Sequence, residues 1–158
     1  MAKVTLISGK ICSGKSTLAE KLRLKKRAVV LSVDEITLAI FGQFIGEKHD
    51  EVVEKTQKYL FDKSLKLIEC GVNVILDWGF WQRQERDEAR NFYLEKGIET
   101  EFYYIDITEE EWKRRVAKRN QAVKENNLSA YFVDENLRIK FSNLFEPPTE
   151  DENMICVR

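Results

Sequence analysis

Short apolar runs alternate along this chain with longer segments whose apolar residues recur at helical spacing. The runs 3–8 (KVTLIS), 28–32 (AVVLS), 72–76 (VNVIL), 100–107 (TEFYYIDI) and 153–157 (NMICV) read as strands. Between them, residues 16–26 place Leu18 and Leu22 one helical turn apart, and 34–43 gather Ile36, Leu38, Ala39 and Ile40. Residues 50–69 carry the stripe Val52 or Val53, Thr56, Leu60, Lys63 or Ser64, and Leu67, closed by Cys70-Gly71 at a glycine stop. A helix over 81–96 ends at Gly97. Another opens at Thr108, a capping residue followed by Glu109, Glu110 and Glu111, and runs to about Lys118. Residues 120–132 read as irregular and 133–144 as a last helix.

Strand–helix alternation with apolar strands predicts an α/β fold, a mainly parallel sheet covered on both faces. Such sheets bind ligands beyond the carboxyl ends of their strands. The segments to inspect are therefore 9–17, 32–35, 77–81 and 106–108.

Composition narrows the class. At 158 residues, 43% apolar and 34% charged, the chain predicts one globular domain, spanning 1–158. A formal net charge of −1 provides no global field for nucleic acid or an anionic membrane. The first apolar run is too short for a signal peptide, and no run approaches the ~20 apolar residues of a membrane span. Cys12, Cys70 and Cys156 are odd in number and far apart, which suits reduced thiols in the cytoplasm better than a disulfide or zinc framework.

The stretch ISGKICSGKST, residues 7–17, holds two Gly-Lys pairs. Only one frame fits the phosphate-loop pattern G-x-x-x-x-G-K-[ST]: Gly9, then Lys10, Ile11, Cys12 and Ser13, then Gly14, Lys15 and Ser16, with Thr17 following. A loop that wraps a phosphate turns successive N–H groups inward, and glycines permit the dihedrals this needs. The helix beginning near Lys15 adds its positive end. Lys15 is then the cation for the outer phosphates, Ser16 a ligand for Mg²⁺, and Lys10 an ordinary loop residue. An apolar strand before the loop and an amphipathic helix after it supply the expected context.

Other residues at the strand ends carry candidate chemistry. Asp34, in LSVDE, can accept a hydroxyl proton or help hold Mg²⁺; it also suits an N-cap for the helix that follows. Asp77 ends the apolar run VNVIL in a Walker-B type arrangement, placed to orient Mg²⁺ or bind substrate, or to form a turn before Gly79. Arg115 and Arg119 lie one turn apart near the apolar side of their helix, with Trp112 and Val116. They can grip ATP phosphates or form structural ion pairs. Arg83, Arg86 and Arg90 stack at helical spacing. Arg86 is the candidate for an anionic substrate, set against a solvated face paired with Glu85, Asp87 and Glu88. Trp78, Phe80 and Trp81 are core, or walls of an acceptor pocket. His49 reads as surface. The basic run RLKKR at 23–27 suits a helix C-terminus and signals nucleic acid only weakly.

On GKICSGKST, LSVDE, VILDWGFWQRQERDEAR and DITEEEWKRRVAKRN, the chain resembles the small P-loop kinases grouped with zeta toxins, chloramphenicol phosphotransferase and the polynucleotide 5′-hydroxyl kinase domain, over roughly residues 3–120. The resemblance implies a three-layer P-loop sandwich with a five-stranded parallel sheet in the order 2-3-1-4-5, ATP and Mg²⁺ as ligands, and a lid over 120–132. It implies Asp34 as general base and Arg115 and Arg119 as the arginines before the lid. Lys10-Ile11-Cys12 is a departure, making the loop bulkier than the family's small residues do. The expected activity is transfer of the γ-phosphate to a hydroxyl of a small-molecule acceptor, with no membrane involved. A nucleotide or nucleic-acid 5′-hydroxyl kinase and a non-catalytic ATP-binding switch module are the alternatives. A switch needs neither Asp34 nor the arginine pair.

Overall fold

The computed structural model describes residues 1–128 and 130–158. The strands β1 (Val4–Ser8), β2 (Ala28–Ser32), β3 (Asn73–Gly79), β4 (Thr100–Ile105) and β5 (Ile155–Val157) form one parallel sheet in the order β2-β3-β1-β4-β5. This is the order implied by the family resemblance. The helices are α1 (Lys15–Lys26), α2 (Val33–Phe41), α3 (His49–Glu69), α4 (Arg83–Leu94), α5 (Glu109–Lys124) and α6 (Glu135–Leu144), with short 3₁₀ turns at Gly46–Lys48 and Glu150–Glu152.

Alternation along β1 and β3 sends side chains to two separate cores. Val4, Leu6, Val74 and Leu76 pack under Ala89 and Tyr93 of α4 and Phe61 and Leu65 of α3. Ile7 and Ile75 pack under Ala19 and Leu22 of α1, with Ile105 of β4. Both faces are thus covered, which is why the central strands are apolar throughout rather than alternating.

Two boundaries differ from the sequence reading. Helix α5 continues past Lys118 to Lys124. Residues 119–124 are polar but contain no glycine, proline or β-branched residue except Val123, so nothing there stops a helix. The stop comes at Asn126, in the left-handed region at φ 55°. Helix α2 begins at Val33, because Ser32 rather than Asp34 caps it: the Glu35 amide donates to Ser32 Oγ at 3.3 Å. The expected lid, 120–132, therefore includes the end of α5. It also includes Ser129, which lies outside the described residues.

Candidate active site

β1 delivers the chain into the loop between Gly9 and Ser16. Ile7 pairs with Asp77 on β3, and Asp77 pairs in turn with Ser32 on β2, so the three strands end nearly level. The loop is close-fitted. The Gly9 amide donates to the Gly79 carbonyl at 3.0 Å, and Trp81 Nε1 donates to the Gly9 carbonyl at 3.1 Å. A Cβ on Gly9 would lie 2.8 Å from Ser13 Oγ, and Gly14 has φ +106°, a conformation that side chains disfavour. The bulkier loop residues are used in packing: Ile11 is buried against Trp112, Val116 and Val133, and Trp112 Nε1 donates to the Ile11 carbonyl at 2.6 Å.

The two lysines separate as their spacing suggests. Lys10 turns outward to Glu109 at 3.0 Å, with its ammonium 4.6 Å from the Trp112 ring centre. Half-buried Lys15 turns back over the loop, donating to the Lys10 carbonyl at 2.8 Å. Burial pushes its pKa down, opposed by the charges of Asp77 and Asp34. Burial pushes the Asp77 carboxyl up, opposed by Lys15 and by the Ser16 hydroxyl, which donates to Asp77 Oδ2 at 3.2 Å.

An anionic ligand fits this arrangement. Helices α2, α5 and α6 have side-chain caps from Ser32, Thr108 and Asp134, whereas α1 has none and no acid in its first turn. Its first amides remain free to bind an anion. Among the described residues, the buried side-chain polar atoms without partners are Ser13 Oγ and Arg119 Nε, both at this loop. Mg²⁺ also fits. Ser16 and Asp77 offer adjacent hard oxygens, and no group of three His, Cys, Asp or Glu side chains among the described residues can hold a metal alone. This suits an ion held by one or two protein oxygens together with phosphates.

The loop opens into a cleft of about 2210 Å³, lined by residues from every segment singled out at the strand ends. A pocket for one small ligand takes roughly 300–1,000 Å³, so two substrates can lie side by side. Asp34 stands exposed on the first turn of α2 and lines the cleft, and its carboxylate makes no hydrogen bond among the described residues. The aromatic cluster divides. Phe80 is core at 2% exposure, while half-buried Trp78 and Trp81 line the cleft. Trp78 stacks on Phe80 at 5.0 Å, tying that wall to the core. His49 is exposed, as read, and lies edge-on to Tyr131 at the cleft.

The arginines of α5 reach the loop but differ from one another. Arg115 is a strut: its Nε donates to Glu111 at 2.8 Å and its Nη1 to the Ser13 carbonyl at 2.7 Å. Hydrogen bonds from Arg114 and Arg115 hold the Glu111 carboxyl down at about 2. Arg119 contacts Cys12 Sγ at 3.2 Å through Nη1, and its Nε is free. The Cys12 thiol is pushed up by burial, against the pull of Arg119.

Arg86 corrects the sequence reading. It does not line the cleft; it is fully buried and donates to Glu152 through Nε at 2.6 Å and Nη2 at 3.0 Å. Its Nη1 meets the Phe80 and Trp81 carbonyls. Of the acids on their own helix, Arg83 and Arg90 pair with Asp87, as the sequence suggests, but not with Glu85 or Glu88. Arg83 meets Asp87 and Asp151, and Arg90 meets Asp87 and Glu152. Glu152 lies 66 residues from Arg86, and no local pattern announces the pair.

The segment 130–133 is tied down by contacts that the local sequence does not show. Asn120 clasps both backbone groups of Val133. Gln43 binds the Ala130 carbonyl and the Phe132 amide, and the Tyr131 hydroxyl meets Thr37 Oγ1 at 2.8 Å. The segment thus joins α5 to α2. Asparagine and glutamine in polar surroundings carry no signal that marks such clasps.

The sequence profile of an AAA domain family matches residues 4–135. The chain belongs to this family. No curated protein matches it. Among solved structures, a sugar kinase from Janibacter sp. HTCC2649 is 19% identical, with 99% of this chain and 85% of that one covered at a TM-score of 0.69. A gluconokinase from Sinorhizobium meliloti 1021 is 14% identical, with 98% and 81% covered at 0.67. A chain of the Pnkp1/Rnl/Hen1 RNA repair complex is 22% identical at a TM-score of 0.73, with 90% of this chain but only 43% of that one covered. The fold is the P-loop α/β sandwich shared with these structures, and the resemblance drawn from the sequence holds at the level of family and fold. No helix among the described residues is long and apolar enough to cross a membrane.

Proposed function

We propose that the chain is an ATP-dependent kinase that transfers the γ-phosphate to a hydroxyl of a small molecule. One juxtaposition supports this most: Asp34, whose carboxylate is unpaired among the described residues, shares a two-substrate cleft with Lys15 and the Ser16–Asp77 pair. A nucleotide-binding switch has no use for that carboxylate.

In this reading the nucleotide phosphates lie along the loop from Gly9 to Thr17, with Lys15 and Arg119 as their cations and Arg115 bracing the loop. Ser16 and Asp77 hold Mg²⁺, which neutralises phosphate charge when bound. Asp34 takes the proton of the acceptor hydroxyl as that oxygen bonds to the γ-phosphorus. The bond from the γ-phosphorus to the bridging oxygen breaks, and ADP leaves with the electron pair. Phosphoryl transfer asks the protein mainly for positioning and charge, which these groups provide. Trp78 and Asp77 flank the acceptor. The chain works as one domain, with 120–132 as its lid, in a reducing cytoplasm that suits three free thiols.

A screen with γ-labelled ATP across nucleosides, sugars, antibiotics and 5′-hydroxyl RNA tests the reading. Label should pass to a hydroxyl of a small molecule, fall sharply in Lys15→Ala and persist in Lys10→Ala. Equal loss in both variants contradicts the assignment of Lys15. The likeness to a chain of an RNA repair complex favours a second reading, a 5′-hydroxyl kinase of nucleic acid; the RNA arm of the screen decides between them.

A further inference from the structure

Resting on the kinase reading, we propose that the acceptor is a hydroxyl compound bearing a protonated amine, and that the site discriminates against acceptors bearing carboxylate or phosphate. The strand order divides the cleft. The phosphate loop sits at the end of β1, in the middle of the sheet. On one side α5 brings Arg115 and Arg119 to the loop; on the other, Asp77 of β3 pairs with Ser32 at the end of β2, just before Asp34. A hydroxyl that reaches both Asp34 and the γ-phosphate therefore approaches along the β2–β3 arm.

The charges lining that arm are of one sign. Asp34, Glu35, Glu47 and Asp50 reach the cleft from α2, α3 and the turn between them, and Glu85 reaches it from the start of α4. The lysines and arginines lining the cleft come from α1, α5, α6 and the last residue; among the described residues none comes from β2, β3, α2, α3, α4 or the loops joining them. Three of these acids are not spent on the protein itself. Among the described residues the carboxylates of Asp34, Glu35 and Glu47 have neither hydrogen bond nor ion pair. Asp50 meets only His49, at 3.3 Å, and Glu85 caps α4 through the Gln82 amide.

A second feature of the arm points the same way. Half-buried Trp78, held by its stacking on Phe80, presents an indole to the cleft. A protonated amine is drawn both to an aromatic face and to unpaired carboxylates. An anionic acceptor meets the same groups as repulsion, with the nearest cations committed to the nucleotide, and clefts focus such fields. The charge of this arm therefore opposes a polynucleotide acceptor.

The test is calorimetric, in Mg²⁺ with a non-hydrolysable ATP analogue, and titrates three pyranose probes that differ mainly in charge: glucosamine, glucose and glucuronate. Glucosamine should bind about tenfold or more tighter than glucuronate, with glucose between, and added salt should compress the difference. In the double variant Glu35→Gln, Glu47→Gln the advantage of the amine should shrink severalfold while glucose is unmoved. Glucuronate binding as well as glucosamine overturns the proposal, as does no binding by any probe. Nucleotide binding, measured first in the same cell, separates the two failures. If the analogue does not bind in a Lys15-dependent way, the kinase reading falls and takes this proposal with it. If it binds and glucuronate is preferred, only the acceptor class is wrong.

Discussion

Helices α4 and α5 both follow strand ends, and both carry arginines at helical spacing, but their side chains meet different fates. On α4 each guanidinium is satisfied within the protein. Arg86, fully buried, has donors on Glu152 and on two backbone carbonyls, and Arg83 and Arg90 close around the same turn at 149–152. On α5, Arg119 has a buried Nε with no partner among the described residues, beside a loop whose Ser13 hydroxyl is unpaired among them too. A buried donor left without an acceptor costs about 1–3 kcal/mol, so a fold keeps one where something else completes it. Satisfaction, rather than spacing or sequence neighbours, separates the structural arginines from the one poised for a ligand.

The comparison breaks first at Arg119. Arg119→Ala should lower turnover on the order of a thousandfold, the worth of an arginine on a transferring phosphoryl group, with a smaller loss of ATP affinity. Its melting temperature should change little. A lowered melting temperature with unchanged single-turnover rate would make α5 a second α4.

Next comes Arg86. Arg86→Ala strands the Glu152 carboxylate in the interior and should cost about 3–5 kcal/mol in denaturant unfolding. Activity per folded molecule should survive. Replacing both partners at once, Arg86→Met with Glu152→Leu, should recover most of the stability, since a well-packed apolar pair often matches a buried ion pair. A double variant no better than the single one would assign the loss to something other than the stranded charge.

Acid should find the same pair. Burial acts to raise the Glu152 carboxyl, but hydrogen bonds from Arg86 and the Thr149 amide prevail and hold it at about 2, against 4.5 when free. A depressed carboxyl stabilises the fold fully above its free value and loses that contribution as pH falls towards the folded one. Stability measured between pH 5 and pH 2 should therefore drop across that window, and less so in the apolar double variant. A drop of equal size in both would remove Glu152 from the account. The smallest effect belongs to Arg83, whose bonds to Asp87 and Asp151 are solvent-exposed. Arg83→Ala should shift the melting temperature only slightly, and 1 M salt should erase the shift.

What the sequence made legible was local. Each strand is an apolar run of a few residues, and the phosphate loop is eight consecutive positions whose dihedral and charge requirements act on neighbours. The sheet order came from family resemblance, not from the runs themselves. Roles that depend on distant partners were not legible. Arg86 and Glu152 are separated by most of α4, β4, α5 and α6, and acids on its own helix made a solvated face plausible. Ser32 and Asp34 are both good caps, two residues apart, and only the backbone turn at Val33 decides between them. Polar residues 119–124 resembled a loop because polarity was read where propensity governs.

That choice of cap bears on the central claim, that Asp34 serves the acceptor. With Ser32 capping α2, Asp34 is an exposed first-turn residue whose carboxylate makes no bond among the described residues, so Asp34→Asn should leave the fold intact. Single-turnover phosphoryl transfer and ATP affinity, measured side by side at two Mg²⁺ concentrations, test it directly. As a base, Asp34 should be worth about 10²–10⁴-fold in transfer, with ATP affinity within a few-fold and no rescue by Mg²⁺. Transfer at the wild-type rate, or a loss that follows ATP affinity and is restored by Mg²⁺, would contradict it.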